Sequence, residues 1–177
     1  MPIHQQPDQL KRAQEHIAWL SANFSNVSSI EVDLTDSFET FRSTLPAEVS
    51  NHELSMANTR ARLRMTTLYA IGQTNACLVA GTGNKIEDFG VGFYTKYGDG
   101  GVDVSPIADL TKSEVWALAK HLGVSQEITN AKPTDGLWGS DRSDEDQLGA
   151  SYPELEWAME FNGNEANLSE RQREVLV

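Results

Sequence analysis

The sequence predicts an α/β fold built on a parallel sheet. Three observations carry this reading. Segments with helical period alternate with short segments of strand character. The apolar run Cys77-Leu78-Val79-Ala80 leads straight into Gly81-Thr82-Gly83, the pattern of a strand buried on both faces that ends in a ligand-facing loop. The 177 residues are 39% hydrophobic and 23% charged, an ordinary globular profile of one-domain size.

The elements follow in chain order. Leu10, Ala13, Ile17, Leu20 and Phe24 recur at steps of three and four, so residues 8–24 form an amphipathic helix with Pro7 at its entry. Ile30, Val32 and Leu34 alternate with Glu31 and Asp33 as a short strand. Asp36 and Glu39 have capping-box spacing and open a short helix that ends before Pro46. A long helix runs from about Glu53 to Gly72, burying Leu54, Ala57, Ala61, Met65 and Leu68. The strand 77–80 comes next, and 97–103 is a turn-rich loop. Thr111 and Glu114 form a second capping box, and Gly123 stops that helix. Residues 132–143 mix Pro, Gly, Asp and Ser and read as a mobile loop, followed by short helices near 153–161 and 168–177.

The net charge of −12 argues against a nucleic-acid partner, because duplex binding needs Lys and Arg to neutralise phosphates. It leaves room for a phosphate-bearing small ligand, which needs a few local cations and a metal ion. Cys77 has no second cysteine to pair with, and its apolar surroundings predict a buried, inert thiol. There is no CxxC or HExxH spacing, no membrane-length apolar run and no signal-peptide pattern. A cytoplasmic protein is the simplest expectation.

Four segments carry chemistry. On the long helix, Asn58 and Arg62 share one side and could grip a carboxylate or phosphate through the guanidinium fork; a solvated basic face is the other reading. Thr82 stands at the carboxyl end of a strand, and Glu87 or Asp88 just beyond it could hold Mg²⁺, a hard cation that prefers carboxylate oxygen. The same string could be a glycine-rich turn into a capped helix. In Phe93–Asp103, glycines allow close backbone approach to a ligand, the aromatics could stack on a flat ring, Lys96 supplies a charge and Asp103 could accept from a ribose; a wide turn is the alternative. Lys112 stands in a helix's first turn, where the dipole disfavours a cation, so an anionic partner competes with plain solvation.

Together these segments resemble the ammonia-dependent NAD synthetase family, from about Asn58 to Leu148 and most densely from Val79 to Lys112. The strings Ala80-Gly81-Thr82-Gly83-Asn84-Lys85 and Thr95-Lys96-Tyr97-Gly98-Asp99-Gly100-Gly101-Val102-Asp103 are specific in combination, and Ser143-Asp144-Glu145-Asp146 resembles the segment after the family's flexible loop. The resemblance implies an open parallel sheet with helices on both faces, of the adenine nucleotide α hydrolase-like kind. It implies a ligase in which the carboxylate of deamido-NAD attacks the α-phosphate of ATP, pyrophosphate leaves, and ammonia displaces AMP to give NAD. Two Mg²⁺ ions assist, and no general base is implied. Carried over residue by residue, Arg62, Lys96 and Asp103 contact deamido-NAD, Thr82, Lys112 and Thr134 contact ATP, and Glu87 binds metal with Asp88 as its rival. A homodimer is implied as well.

The family's Ser-Gly-Gly-x-Asp-Ser ATP loop has no match, and neither does its late His-Lys pair. The expectation is therefore a single NAD synthetase-like domain over 1–177, truncated at both ends, missing its first βαβ portion and inactive alone. A non-catalytic remnant that binds dinucleotide or a partner, or another ATP pyrophosphatase-type ligase, are the alternatives.

Overall fold

A computed structural model describes residues 1–137 and 142–176. Helix α1 spans Pro7–Asn23, α2 Thr35–Ser43, α3 Ala47–Ser50 and α4 Glu53–Thr74. A π-helical turn covers Ile86–Val91. Helices α5 (Lys112–His121), α6 (Gln126–Thr129), α7 (Asp144–Leu148), α8 (Tyr152–Glu160) and α9 (Glu170–Leu176) complete the chain, with a 3₁₀ turn at Glu165–Asn167. The expected helices are thus present, most of them within two residues of their expected ends. The loop expected at 132–143 lies partly outside the described residues, at 138–141, and so does Val177, the last residue of the helix expected at 168–177.

The sheet differs from expectation. Among the described residues there is no named strand, and the pairing consists of one parallel bridge, Ala80 to Val104. The Gly81 N–H donates to the Val104 carbonyl at 2.7 Å, and the Asp103 N–H to that of Val79 at 3.0 Å. Segment 30–34 forms no ladder, because no strand among the described residues lies beside it. Its end is tied instead through the Leu34 N–H to the Pro2 carbonyl at 3.0 Å.

The expectation of a strand buried on both faces at 77–80 is also corrected. Val79 is buried, but Leu78 is 72% exposed and Cys77 is exposed. One face of this segment packs on α4, where the Cys77 N–H donates to the Gly72 carbonyl at 2.8 Å, and nothing among the described residues covers the other. The amphipathic stripe of α1 likewise buries no residue.

The capping box expected at Asp36 and Glu39 does not form. Helix α2 begins two residues earlier, with Leu34 in place of Asp36 at the N-cap, and Asp33 accepts from the Thr35 N–H at 2.8 Å. The box at Thr111 and Glu114 forms with both of its hydrogen bonds. Ala57, Ala61 and Met65 of the expected α4 stripe are buried; Leu54 and Leu68 are exposed along a cleft. Most of the buried hydrophobic residues among those described fall in three small clusters. Ile3, Leu34, Phe38 and Met56 form one, Ile86, Ala150, Tyr152 and Leu155 another, and Ala57, Ala61 and Leu137 the third.

Candidate active site

A cleft of about 710 Å³ opens between α4, the 79–83 segment, the π-helical turn, residues 133–137 and the start of α7. Local sequence explains its walls. The Asn84 side chain is almost wholly buried and accepts from the Ile86 and Glu87 N–H groups at 2.9 and 3.1 Å, so it starts the π-helical turn and aims Glu87 inward. The Thr111 capping box fixes Lys112 at the first position of α5. Ser143 caps α7 and sets Asp144 at its first position, where the Asp144 N–H donates to the Pro133 carbonyl at 3.0 Å.

Thr82, Glu87, Lys112 and Thr134 all line this cleft, although 52 positions separate the first from the last. Asp88 lines it too. Glu87 Oε1 accepts from Lys112 Nζ at 3.0 Å and from the Tyr152 hydroxyl at 2.7 Å, while Oε2 accepts from the Asn84 N–H at 3.1 Å. Burial by itself pushes the Glu87 carboxyl up. The Lys112 ammonium and these hydrogen bonds outweigh it, so Glu87 is held below its ordinary value and is ionised. Asp88 is pushed up instead, by burial and then by the charges of Glu87 and Asp99.

Arg62, Lys96 and Asp103 lie outside the cleft walls. Arg62 is exposed and donates through Nε to the Lys96 carbonyl at 3.0 Å. Its neighbour Asn58 accepts from the Thr95 hydroxyl at 2.7 Å, so the expected Asn58–Arg62 pair grips the glycine-rich loop of the same chain. The Lys96 ammonium stands 5.1 Å from the centre of the Tyr97 ring. Asp103 accepts from the Val79 N–H at 2.8 Å and from the Tyr69 hydroxyl at 3.0 Å, pinning the loop to 79–80. Thr134 donates to the Arg142 carbonyl at 3.2 Å.

Two residues enter the site that sequence reasoning did not single out. Tyr152 is 0% exposed; its hydroxyl reaches Glu87 and also stands 3.3 Å from Asp144 Oδ2, and its ring lies 4.6 Å from Lys112 Nζ. Asp144 is buried in the cleft wall, and its Oδ1 has no hydrogen-bond partner among the described residues. The Ser-Asp-Glu-Asp run flagged the neighbourhood of Asp144; Tyr152 gave no signal because a tyrosine in an amphipathic helix reads as core.

Among the described residues, no three His, Cys, Asp or Glu side chains gather as a metal cage. Magnesium does not need one, since it is usually held by one or two carboxylates together with substrate phosphates. Glu87 in the cleft wall and the orphaned Asp144 oxygen beside it suit that donor set. Nor is any described helix long and apolar enough to cross a membrane.

The fold that builds this cleft has counterparts among solved structures. The chain superposes on a structure described as NMN synthetase from Francisella tularensis with a TM-score of 0.83 and 30% identity, covering 97% of this chain and 67% of that one. The NAD synthase family matches residues 1–175, and the chain belongs to that family. It is 38% identical over 172 residues to the NH(3)-dependent NAD(+) synthetase of Mesoplasma florum, covering 97% of this chain and 68% of the relative. It is 40% identical over 159 residues to that of Carboxydothermus hydrogenoformans, covering 88% and 62%. The chain therefore spans about two thirds of the length of these curated relatives.

Proposed function

We propose that this chain carries part of the site for ATP-dependent amidation of deamido-NAD by ammonia, yielding NAD, AMP and pyrophosphate through an adenylated intermediate. The observation that supports it most is the convergence of Thr82, Glu87, Lys112 and Thr134 on one cleft. In this reading Lys112 and Thr134 bind ATP phosphates and Thr82 binds ATP from the end of its segment. Glu87 would hold Mg²⁺, which would supply charge compensation for the phosphate oxygens. Arg62 of α4, together with Lys96 and Asp103 of the glycine-rich loop, forms a separate deamido-NAD surface. Catalysis then rests on positioning and electrostatics, because adenylation needs the carboxylate held against the α-phosphate with its charge compensated.

The proposal extends to the assembly. An open parallel sheet in one domain, a homodimer, a cytoplasmic setting and no nucleic-acid partner accompany the family reading. The Ala80–Val104 bridge is parallel, as such a sheet requires. The deciding experiment is calorimetric binding of MgATP to the chain and to Lys112→Ala. A drop of about tenfold (about 1.4 kcal/mol) is expected, and equal affinity would refute the phosphate role. The likeness to an NMN synthetase favours a second reading, in which the same site makes NMN. Offering the deamidated dinucleotide and mononucleotide side by side separates the two.

A further inference from the structure

We propose that Tyr152 is a positioning residue of this site, setting the candidate metal carboxylate Glu87 with its hydroxyl and the candidate phosphate-binding Lys112 with its ring. The proposal rests on the roles given to Glu87 and Lys112 above. Its geometry is fixed from several sides. Tyr152 is the first residue of α8, behind the Ser151–Glu154 capping box. Its N–H donates to Glu145 Oε1 at 2.9 Å. Its ring meets Trp116 edge to face at 6.1 Å, and Trp116 belongs to α5, the helix that Lys112 begins. One side chain thus ties α8, α5 and the π-helical turn together at the cleft.

Packing does not account for the hydroxyl. A phenylalanine would fill the same cluster with Ile86, Ala150 and Leu155. A buried hydroxyl costs free energy unless it finds a partner, and this one donates to Glu87 at 2.7 Å. A partner of that kind fixes the orientation of a metal-binding carboxylate, and losing it typically costs roughly 10–100-fold in metal affinity. The ring does separate work: its π-face attracts the Lys112 ammonium at 4.6 Å. The two functions of Tyr152 can therefore be divided by removing the hydroxyl alone.

The test compares the unmodified chain, Tyr152→Phe and Glu87→Gln. Mn²⁺ binding is read by electron paramagnetic resonance and tripolyphosphate binding by calorimetry. Tyr152→Phe should weaken Mn²⁺ roughly tenfold or more, while tripolyphosphate affinity stays unchanged because the ring still holds Lys112. Glu87→Gln should abolish Mn²⁺ binding. If Tyr152→Phe binds Mn²⁺ as the unmodified chain does while Glu87→Gln fails to, the positioning role is wrong. Parallel loss of both ligands in Tyr152→Phe would mean general damage to the fold and would also overturn it. Mn²⁺ binding untouched by Glu87→Gln would sink the metal reading of Glu87, and this proposal with it.

Discussion

Asp144 sits 6% exposed in the cleft wall, and its carboxyl is pushed up to about 6. Burial is the main cause, Asp135 and Glu87 add repulsion, and Lys112 and the Tyr152 hydroxyl pull the other way. An unfolded aspartate titrates near about 3.9. The folded chain therefore holds the proton more tightly, and stability from this group is complete below about 4 and lost as pH rises through about 6. Asp144→Asn should flatten that decline and raise stability at pH 7 by on the order of 2–3 kcal/mol. Urea unfolding at pH 4.5 and pH 7 checks it; an unchanged slope with pH would contradict the assignment. At the same scale, exposed Cys77 should react completely with a thiol reagent in the native chain. A thiol that reacts only after unfolding would restore the buried strand that the sequence led us to expect.

The elements that bear the site depend on their ends. Thr111 accepts from the Glu114 N–H at 3.3 Å, and Glu114 accepts from the Thr111 N–H at 2.8 Å. Thr111→Ala should cost about 1 kcal/mol and loosen Lys112 together with the first turn of α5. Chemical denaturation gives the first quantity and MgATP affinity the second; loss of stability without loss of affinity would uncouple them. The glycine-rich loop depends on close approach to α4. A Cβ at Gly98 would stand 2.9 Å from the Ala61 Cβ and 3.0 Å from the Thr95 Cβ, atoms with no freedom to swing aside. Gly98→Ala should destabilise by about 1–3 kcal/mol and detach the loop that presents Lys96. A melting temperature equal to that of the unmodified chain would show that the loop yields instead.

For the whole molecule, surface area is the informative quantity. The chain exposes 11527 Å², whereas a compact monomer of this mass exposes roughly 8,500 Å². Part of the excess is apolar: Leu78, Phe89 and Ile30 are 72%, 70% and 62% exposed. Apolar surface in this quantity favours association, against which a net charge of −12 works by repulsion. The chain should self-associate, and more strongly as salt screens its charge. Sedimentation velocity across concentration and ionic strength tests this, and a monomer throughout would contradict it.

The helices were legible in the sequence because each is encoded locally, by a 3.6-residue period and by end signals such as Thr111 with Glu114. The family was legible too, because the strings 80–85 and 95–103 are specific in combination, and the family match over residues 1–175 bears that out; the choice of Glu87 over Asp88 and the ATP roles of Lys112 and Thr134 entered only through the resemblance. The strands were not legible in the same sense. Period two at 30–34 describes which faces a chain offers, while a ladder needs a neighbour, and at 77–80 there is one bridge. Burial followed the same rule: Cys77 has an apolar sequence context and an exposed side chain, because exposure depends on what lies opposite. The sequence by itself determined the helices, the acidic surface and the family. Only the tertiary structure decided that Glu87, Lys112, Asp144 and Tyr152 meet, since residues up to 65 positions apart are brought within hydrogen-bond reach by packing, which leaves no local pattern to read.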